Sequence, residues 1–418
     1  MNTPPSAPWF SVIPFVLVLA GIAILPLAVP GFWDRNRNKA IFSALLAAPV
    51  AAWLLASQPG LLIHAASEYI SFLCLLGSLF IVTGGIHLAG DLRASPRTNT
   101  VILGIGAVLA SLIGTTGASM LLIRLLLRTN SERRHTRHIP FFFILIVSNA
   151  GGLLTPLGDP PLFLGFLRGV PFAWTLRLFP IWALAVSYLL ALFHWIDRRA
   201  YARETTSDLA KDALQYQPLR ILGRLNLVWL GAIVLSVFLP SPIRESTMVL
   251  AAIASLVIGN KSPRQLNSFS FTPIAEVAIL FAGIFVTMTP ALLLLEHHGP
   301  ALGLFAPWHF FFVSGALSSV LDNAPTYLTF LTAAQSTASS LGLAVDVVSV
   351  PASLLAAVSA GSVLMGANTY IGNGPNFMVK SMAESSGYHM PSFVRYAVMA
   401  VLVLSPVYAV TAVLVGLY

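Results

Sequence analysis

Apolar runs of the length of a membrane-spanning helix recur along the whole of this 418-residue chain. A helix needs about 20 predominantly apolar residues to cross the hydrocarbon core of a bilayer, so each run is a candidate span. Only 9% of the residues are charged, whereas a soluble protein has about a quarter. The runs are continuous, unlike the alternating segments of a β-barrel. The sequence therefore predicts an all-α polytopic membrane protein.

The apolar windows predict about ten transmembrane helices and two further apolar segments that are interrupted in the middle. The predicted spans are residues 9–30, 39–57, 66–90, 138–166, 172–196, 222–239, 244–260, 272–296, 347–379 and 391–416. The interrupted segments, 99–128 and 305–334, contain "LIGTTGAS" and "VLDNAPTY". Each half is expected to be too short to cross the bilayer, so we expect two re-entrant helical hairpins with tips buried in protein or lining a cavity.

The basic residues support this topology, because cytoplasmic loops carry the excess of Lys and Arg. With the N-terminus outside, 18 of the 23 Lys and Arg residues fall on the cytoplasmic side, Arg168 and Arg244 fall outside, and Arg124, Arg177 and Arg395 lie near span ends. The sequence thus predicts a multi-pass protein of the inner (plasma) membrane with both termini outside. The net charge of +8 has the same origin, so no nucleic-acid partner is expected.

Three pieces of the first half recur in the same order in the second half. The pairs are "LFIVTGGIHL" (79–88) with "LFAGIFVTMTPAL" (280–292), "ASLIGTTGASMLLI" (110–123) with "SSVLDNAPTYLTFL" (318–331), and "LTPLGDPPLFL" (154–164) with "NTYIGNGPNFM" (368–378). The charge-based topology places the two hairpins on opposite sides of the membrane, so the halves are inverted. Inverted repeats with broken helices are typical of secondary transporters, which bind substrate and ions near the midplane.

The repeat predicts four segments. Residues 1–65 would supply N-terminal scaffold helices, and residues 197–271 a cytoplasmic loop with linking helices. Repeat 1 (66–196) would contain the hairpin 99–128 and a broken helix at 138–166. Repeat 2 (272–418) would contain the hairpin 305–334 and a broken helix at 347–379.

The breaks carry the residues with ion-binding chemistry. An interrupted helix exposes free N–H groups on one half and free carbonyls on the other, and the Pro and Gly residues of "TPLGDPP" and "IGNGPN" keep it open. A charge at the bilayer centre costs at least about 2.5–3.5 kcal/mol, so Asp159 and Asp322 are functional candidates. Each is also a candidate N-cap of a half-helix.

Amide and hydroxyl groups at the breaks complete the predicted ion or substrate site. Their oxygen atoms are hard ligands of the kind that coordinate Na⁺ in broken helices. The candidates are Asn149, Asn323, Asn368, Asn373, Asn376, Thr115, Thr116 and Thr369. For Na⁺ itself the candidates are Asp322, Asn323 and Asp159. His87, in the predicted third span, is a candidate proton-linked residue, with a packed, hydrogen-bonded role as the alternative. No cofactor is expected beyond the transported Na⁺ and H⁺.

These motifs resemble those of the ion transporter superfamily. "GGLLTPLGDPPLF" is similar to the G-G-x-x-T-x-I-G-D-P-P-N signature of the arsenite-permease and NhaD-type sodium–proton antiporter branch. "SSVLDNAPTYLTF" resembles the hairpin motif of that branch, and "IGNGPNFMV" resembles its second-repeat partner. Leu162 stands where the signature has Asn, and neither hairpin tip reads Ser-Asn-Thr, the sodium motif of related symporters.

The resemblance covers roughly residues 66–418. It implies a homodimer built on a scaffold subdomain, and a transport subdomain that carries the hairpins and broken helices and moves as an elevator. It also implies ion-site roles for Asp159, Asn149, Asp322, Asn323, Asn373 and Asn376.

Two transport functions remain open at this point. A Na⁺/H⁺ antiporter would use a carboxylate that binds Na⁺ when ionised and releases it when protonated. A sodium- or proton-coupled carrier of citrate or another organic anion, a class that the superfamily also contains, would need positive charge facing its substrate. The breaks contain two acids and no Lys or Arg, and Arg124 lies toward the cytoplasmic end of its hairpin, so the antiporter is favoured. An enzyme is not expected, because H-E-x-x-H is absent and "PLGDP" only half matches G-x-G-D.

Overall fold

The computed structural model describes residues 7–418 and confirms an all-α polytopic membrane protein. Within these residues, seven helices are long and apolar enough to cross a membrane, and shorter apolar helices accompany them. Residues 1–6, which begin the predicted scaffold segment, lie outside the described part of the chain.

The elements follow each other with short connections. The first half contains α1 (Ile13–Ala28), α2 (Pro30–Trp33), α3 (Asn36–Ser57), α4 (Pro59–Gly84), β1 (His87–Asp91), α5 (Pro96–Ile113), α6 (Thr115–Thr129), α7 (His138–Ile146), α8 (Pro160–Leu167) and α9 (Phe179–Tyr201). The rest of the chain contains α10 (Thr206–Gln215), β2 (Gln217–Leu222), α11 (Leu225–Ser236), α12 (Ile243–Val257), α13 (Lys261–Leu266), α14 (Thr272–His298), α15 (Pro307–Ser318), α16 (Asn323–Leu341), α17 (Ala352–Met365), α18 (Gly374–Ser385) and α19 (Phe393–Leu414).

The first interrupted segment folds as the predicted hairpin, formed by α5 and α6. Gly114 separates the two helices with φ of +81°, a conformation that residues with a Cβ rarely adopt. Asn99 near the start of α5 and Asn130 after α6 exchange two side-chain hydrogen bonds of 2.9 and 2.8 Å. Both ends of the hairpin therefore lie on one face of the protein. The expectation that each half is too short to span is wrong for α5, which has 18 residues.

The second hairpin, α15 and α16, approaches from the other face. Helix α14 follows the short helix α13, which contains Lys261 and Arg264, and ends at His298. Near that end the Ser336 hydroxyl of α16 donates to the carbonyl of Glu296 at 2.8 Å. We call the side that holds the ends of the α5–α6 hairpin and most loop Lys and Arg residues the basic face, and the other side the opposite face. The inverted arrangement predicted from the charge pattern is thus present in the structure.

A two-stranded antiparallel ribbon on the basic face was not predicted. Strands β1 and β2 pair with His87 opposite Leu222, so the predicted spans 66–90 and 222–239 are wrong at these ends. Helix α4 ends at Gly84 because the amide of Asn267 donates to the carbonyls of Gly84 and Ile86, at 3.0 and 2.7 Å. These bonds satisfy carbonyls that a helix end would otherwise leave without partners.

The helices form two bundles. The first contains α1, α3, α4, α11, α12 and α14, and the second contains the hairpins, the broken helices α7–α8 and α17–α18, and α9 and α19. In the first bundle, α1 and α3 pack on α14. Helices α11 and α12 pack on α4 in the corresponding way. The N-terminal helices thus hold the place in one half that α11 and α12 hold in the other. Helix α4 starts at Pro59, so the predicted boundary between residues 65 and 66 falls inside it.

A buried polar network fixes the ends of the first hairpin to α7 and α9. The carboxylate of Asp197 is fully buried and accepts from the Arg133 guanidinium at 2.6 Å and from Asn99 at 2.9 Å. The His138 ring lies 2.9 Å from the same carboxylate. Four segments of the chain therefore depend on one ion pair.

Breaking this ion pair should destabilise the protein strongly. Asp197→Ala removes the closer of the two carboxylates that pair with the buried guanidinium of Arg133 and leaves only Glu204, at 3.6 Å, so we expect a loss of up to about 3–5 kcal/mol. Lys211→Ala is the control, because Lys211 is exposed and lies 4.0 Å from Asp208. Thermal unfolding of the purified protein in detergent measures both. Equal melting temperatures for the two variants would show that the network contributes little.

Candidate functional site

The polar breaks of both halves meet at the carboxylate of Asp159, whose side chain is buried (1% exposed). Thr115 at the tip of the first hairpin donates its hydroxyl to Oδ1 at 2.9 Å, and Asn323 at the tip of the second donates Nδ2 to Oδ2 at 2.5 Å. Asn373, at the break of the second broken helix, donates Nδ2 to Oδ1 at 3.1 Å. Two hairpins and two broken helices thus each supply one group to the site.

The members of this cluster are counterparts in the repeat. Thr115 and Asn323 are separated by the 208-residue offset of the hairpin motifs, and both donate to Asp159. Asp159 and Asn373 are separated by the 214-residue offset of the broken-helix motifs, and they bond to each other. The site therefore lies on the axis that relates the two halves, but it carries only one carboxylate.

Asn149 and Asn376 join the two broken helices beside the cluster. The amide of Asn149 donates to Oδ1 of Asn376 at 2.7 Å and to the carbonyl of Ile144 at 2.8 Å. The amide of Asn376 donates to the carbonyls of Gly366 and Thr369, both at 2.9 Å. The two side chains pair backbone groups that the broken helices leave free, and both are buried. Nδ2 of Asn373 adds a 3.3 Å contact to Oδ1 of Asn149.

Equivalent hydrogen bonds hold both breaks open. The hydroxyl of Thr155 donates to the carbonyl of Ser111, and the hydroxyl of its counterpart Thr369 donates to the carbonyl of Ser319 at 2.5 Å. Each serine hydroxyl returns a bond to the backbone of the broken helix, at 2.5 Å in the first half and 3.0 Å in the second. Neither serine was predicted, although both lie at the 208-residue offset of the hairpin motifs. Their position in that alignment was the signal that could have identified them.

Close backbone crossings at the breaks require glycine. A Cβ at Gly158 would overlap the carbonyl oxygen of Gly152, and a Cβ at Gly372 would lie 2.6 Å from that of Gly366. The carbonyl of Gly158 accepts the backbone N–H of Thr115 at 2.8 Å, so this crossing also holds the hairpin tip against the break. The glycines therefore set the separation between Thr115 and Asp159.

One polar atom of the cluster has no partner. Oδ1 of Asn323 is buried and accepts no hydrogen bond from any residue between 7 and 418. Rotating the side-chain amide of Asn323 by 180° would place Oδ1, instead of Nδ2, beside the carboxylate of Asp159. The Thr115 hydroxyl is a third oxygen beside them. A carboxylate, an amide oxygen and a hydroxyl oxygen are suitable ligands for Na⁺, and the carboxylate alone can take H⁺.

Asp322 has a different position from Asp159. It is half-buried, and its Oδ1 accepts the backbone N–H of Ala324 at 3.0 Å, which caps the N-terminus of α16. Among the described residues no hydrogen bond joins it to the cluster. The two predicted carboxylates thus do not form a pair, and an ion-binding role for Asp322 stays a prediction.

The remaining predicted residues lie around the cluster or away from it. Asn368 donates to the hydroxyl of Ser319 at 2.9 Å and accepts from the Tyr408 hydroxyl at 2.7 Å, so it braces the second break. Thr116 is half-buried and lines a small cavity beside Asp159. His87 lies on β1 instead of in a span, with its Nδ1 2.7 Å from Oδ1 of Asn267. This is the packed, hydrogen-bonded alternative for that histidine.

Inverted hairpins and broken helices that converge on one buried carboxylate define a secondary transporter. The family model described as "Putative citrate transport" matches residues 5–415, and the chain belongs to this family. The match agrees with the resemblance to the ion transporter superfamily and supports a transporter over an enzyme. A comparison with curated proteins gave no match.

The glycine crossings give a test of the site geometry. Gly158→Ala and Gly372→Ala should each destabilise the protein by about 1–3 kcal/mol, because the backbone opposite must move. Gly374→Ala is the matched control, since a Cβ there meets no atom within 4 Å. Thermal unfolding in detergent measures the stability of all three variants. If Gly158→Ala behaves like the control, the crossing described here is wrong.

Proposed function

We propose that this protein is a cation-coupled secondary transporter of citrate or a related organic anion, with Asp159 as the group that binds the coupling cation. The convergence of all four breaks on this one carboxylate carries the proposal. We further propose that the basic face is cytoplasmic. The first bundle would form the interface of a homodimer, and the second bundle would move relative to it.

Neutralisation of Asp159 is the physical reason for cation coupling. Its three side-chain partners are neutral donors, and among the described residues no Lys or Arg forms an ion pair with it. A buried carboxylate without a counterion is costly, so moving it between two faces favours a bound H⁺ or Na⁺. Because both ions would occupy the same oxygens, they would compete.

Two observations favour an organic anion as the substrate. Asp322 caps α16 and does not form hydrogen bonds with the cluster, so Asp159 is the one carboxylate that the hairpin tips and broken helices bind, and the coupling cation would neutralise it. The N-terminal end of α6 borders the small cavity beside Asp159, and the free N–H groups at the N-terminus of a helix attract anions. The family described as citrate transport points to the same class. This cavity of about 20 Å³ holds about one water, so substrate binding requires it to widen.

Na⁺/H⁺ antiport is the second candidate, favoured by the chemistry of the cluster itself. Asp159, Thr115 and Asn323 supply oxygen ligands for a cation without any contribution from an anion. No Lys or Arg of the described chain forms a hydrogen bond with these three side chains. An antiporter would exchange Na⁺ for H⁺ at Asp159 in the absence of citrate.

Purified protein in liposomes distinguishes the two functions. Labelled citrate uptake is measured under an imposed Na⁺ or pH gradient, and a pH-sensitive dye inside the vesicles reports Na⁺-driven proton movement without citrate. We expect gradient-dependent citrate uptake and no proton movement on adding Na⁺ alone. Proton movement driven by Na⁺, with no citrate uptake, would establish the antiporter and reject the proposal.

Asp159→Asn should lower gradient-driven uptake by at least about tenfold, because the amide cannot take up the cation that neutralises the carboxylate. Asp346→Asn is the matched control: Asp346 caps α17 by accepting the backbone N–H of Ala352 at 2.9 Å, and asparagine also caps helices. Uptake rates are compared at equal amounts of folded protein. Wild-type, ion-dependent uptake by Asp159→Asn would remove Asp159 from the coupling site.

A further inference from the structure

A second cavity, of about 140 Å³, lies between the two bundles on the basic face. One wall comes from the first bundle and its loop, and the other from α6 and α18 of the second bundle. Its lining includes Phe80, Ser268, Ser270, Met120 and Arg124. A space between the two bundles is where a transporter that moves one bundle past the other must admit its substrate.

Arg124 is the one charged side chain that lines this cavity, within the described part of the chain. It is half-buried, and no carboxylate or other acceptor of residues 7–418 pairs with it. Neighbouring arginines differ: Arg128 donates to the carbonyl of Leu88 at 2.8 Å, and Arg264 donates to the hydroxyl of Ser255 at 2.6 Å. A partly desolvated guanidinium without a hydrogen-bond acceptor costs free energy, and an anion that pairs with it removes that cost.

The chemistry of the cavity indicates which anion it would bind. A guanidinium presents a planar fork of N–H donors that matches a carboxylate in bidentate geometry. The hydroxyls of Ser268 and Ser270 at the mouth form no side-chain hydrogen bond with the described residues, so they can donate to a second oxygen group. The cavity contains no acidic side chain that would repel an anion. A small organic anion with several carboxylates fits these donors.

Helix α6 connects this cavity to the ion site. Thr116, Met120 and Arg124 are spaced four residues apart and therefore lie on one face of the helix. Thr116 lines the small cavity beside Asp159, whereas Met120 and Arg124 line the larger one. The ring of Phe80 borders both cavities and is buried (5% exposed). An aromatic side chain of the first bundle is thus shared by the walls of the two cavities.

We propose that the larger cavity is a binding site for the organic anion on the basic face, where Arg124 pairs with one carboxylate group and Phe80 closes the passage to Asp159. The proposal rests on the proposed function and names the first site on its transport path. Arg124 moves with the second bundle and Phe80 belongs to the first. Relative movement of the bundles would therefore remove the ring from the passage while the guanidinium keeps the anion.

The test measures citrate binding to the full-length protein in nanodiscs of zwitterionic phosphatidylcholine, by titration calorimetry. Arg124→Gln should weaken citrate binding by about 10- to 100-fold, because a charge-assisted bidentate contact is lost. Arg124→Lys should retain part of the affinity, since it keeps the charge without the fork. Lys380→Gln is the control for net charge, because Lys380 lies on α18 and pairs with Glu384 at 2.9 Å. Its citrate affinity should equal that of the wild type.

Each outcome separates this site from the proposed function. Citrate binding by the wild type that is unchanged in Arg124→Gln overturns the site and leaves the proposed function intact. A wild type that binds no citrate overturns both. A lipid phosphate is the other source of an anionic oxygen group, so the titration is repeated with anionic phosphatidylglycerol in the nanodiscs. Equal citrate affinity in both lipids supports the site, whereas Arg124-dependent lipid binding that excludes citrate would assign the guanidinium to the bilayer.

Discussion

The hydrogen bonds that Asp159 accepts from three other breaks are the interaction on which the structure of this transporter depends. Thr115, Asn323 and Asn373 belong to segments that are far apart in the chain, and this carboxylate accepts a hydrogen bond from all three. In the low dielectric of a membrane protein, each of these bonds is strong and each loss is costly. The same bonds make the site sensitive to charge, because a cation on either carboxylate oxygen must compete with the donors that now occupy it. In the proposed function, structure and ion coupling therefore depend on one group.

Backbone satisfaction is the second constraint, since irregular backbone at membrane depth survives only when protein groups pair it. The two halves solve this with the same hydrogen bonds, from Thr155 and Thr369 to the hairpin carbonyls. Function then requires the symmetry to be broken. Asp159 and Asn373 are counterparts, yet only one can carry a charge, so the site holds one carboxylate and a neutral donor beside it. Neutralising two facing carboxylates fully would take two cations, whereas a single H⁺ or Na⁺ neutralises one carboxylate.

The helical class, the hairpins and the positions of the breaks could be predicted, because Gly, Pro and Asp inside apolar runs contradict a continuous span. The composition of the cluster could be predicted only in part. Asp322 occupies a hairpin tip as expected and caps α16 at Ala324, which is the alternative role given for it, but the sequence could not decide between capping and membership of the cluster, because side-chain direction at a helix start is set by tertiary packing. The β1–β2 ribbon was missed because β1 follows the apolar run of α4 directly, and the end of α4 depends on a distant amide, that of Asn267. Long-range hydrogen bonds of this kind leave no local pattern.

We propose that Asp159 is the carboxylate that takes up and releases the coupling cation. Infrared difference spectroscopy of the protein in lipid tests it directly, because the C=O stretch of a protonated carboxyl group disappears when that group loses its proton. Raising the pH, or adding the coupling cation at fixed pH, should produce a negative carboxyl band in the wild type. We expect this band to be absent in Asp159→Asn and present in Asp322→Asn. A band that persists in Asp159→Asn and is lost in Asp322→Asn would contradict the proposal, and would place the coupling site at the tip of the second hairpin.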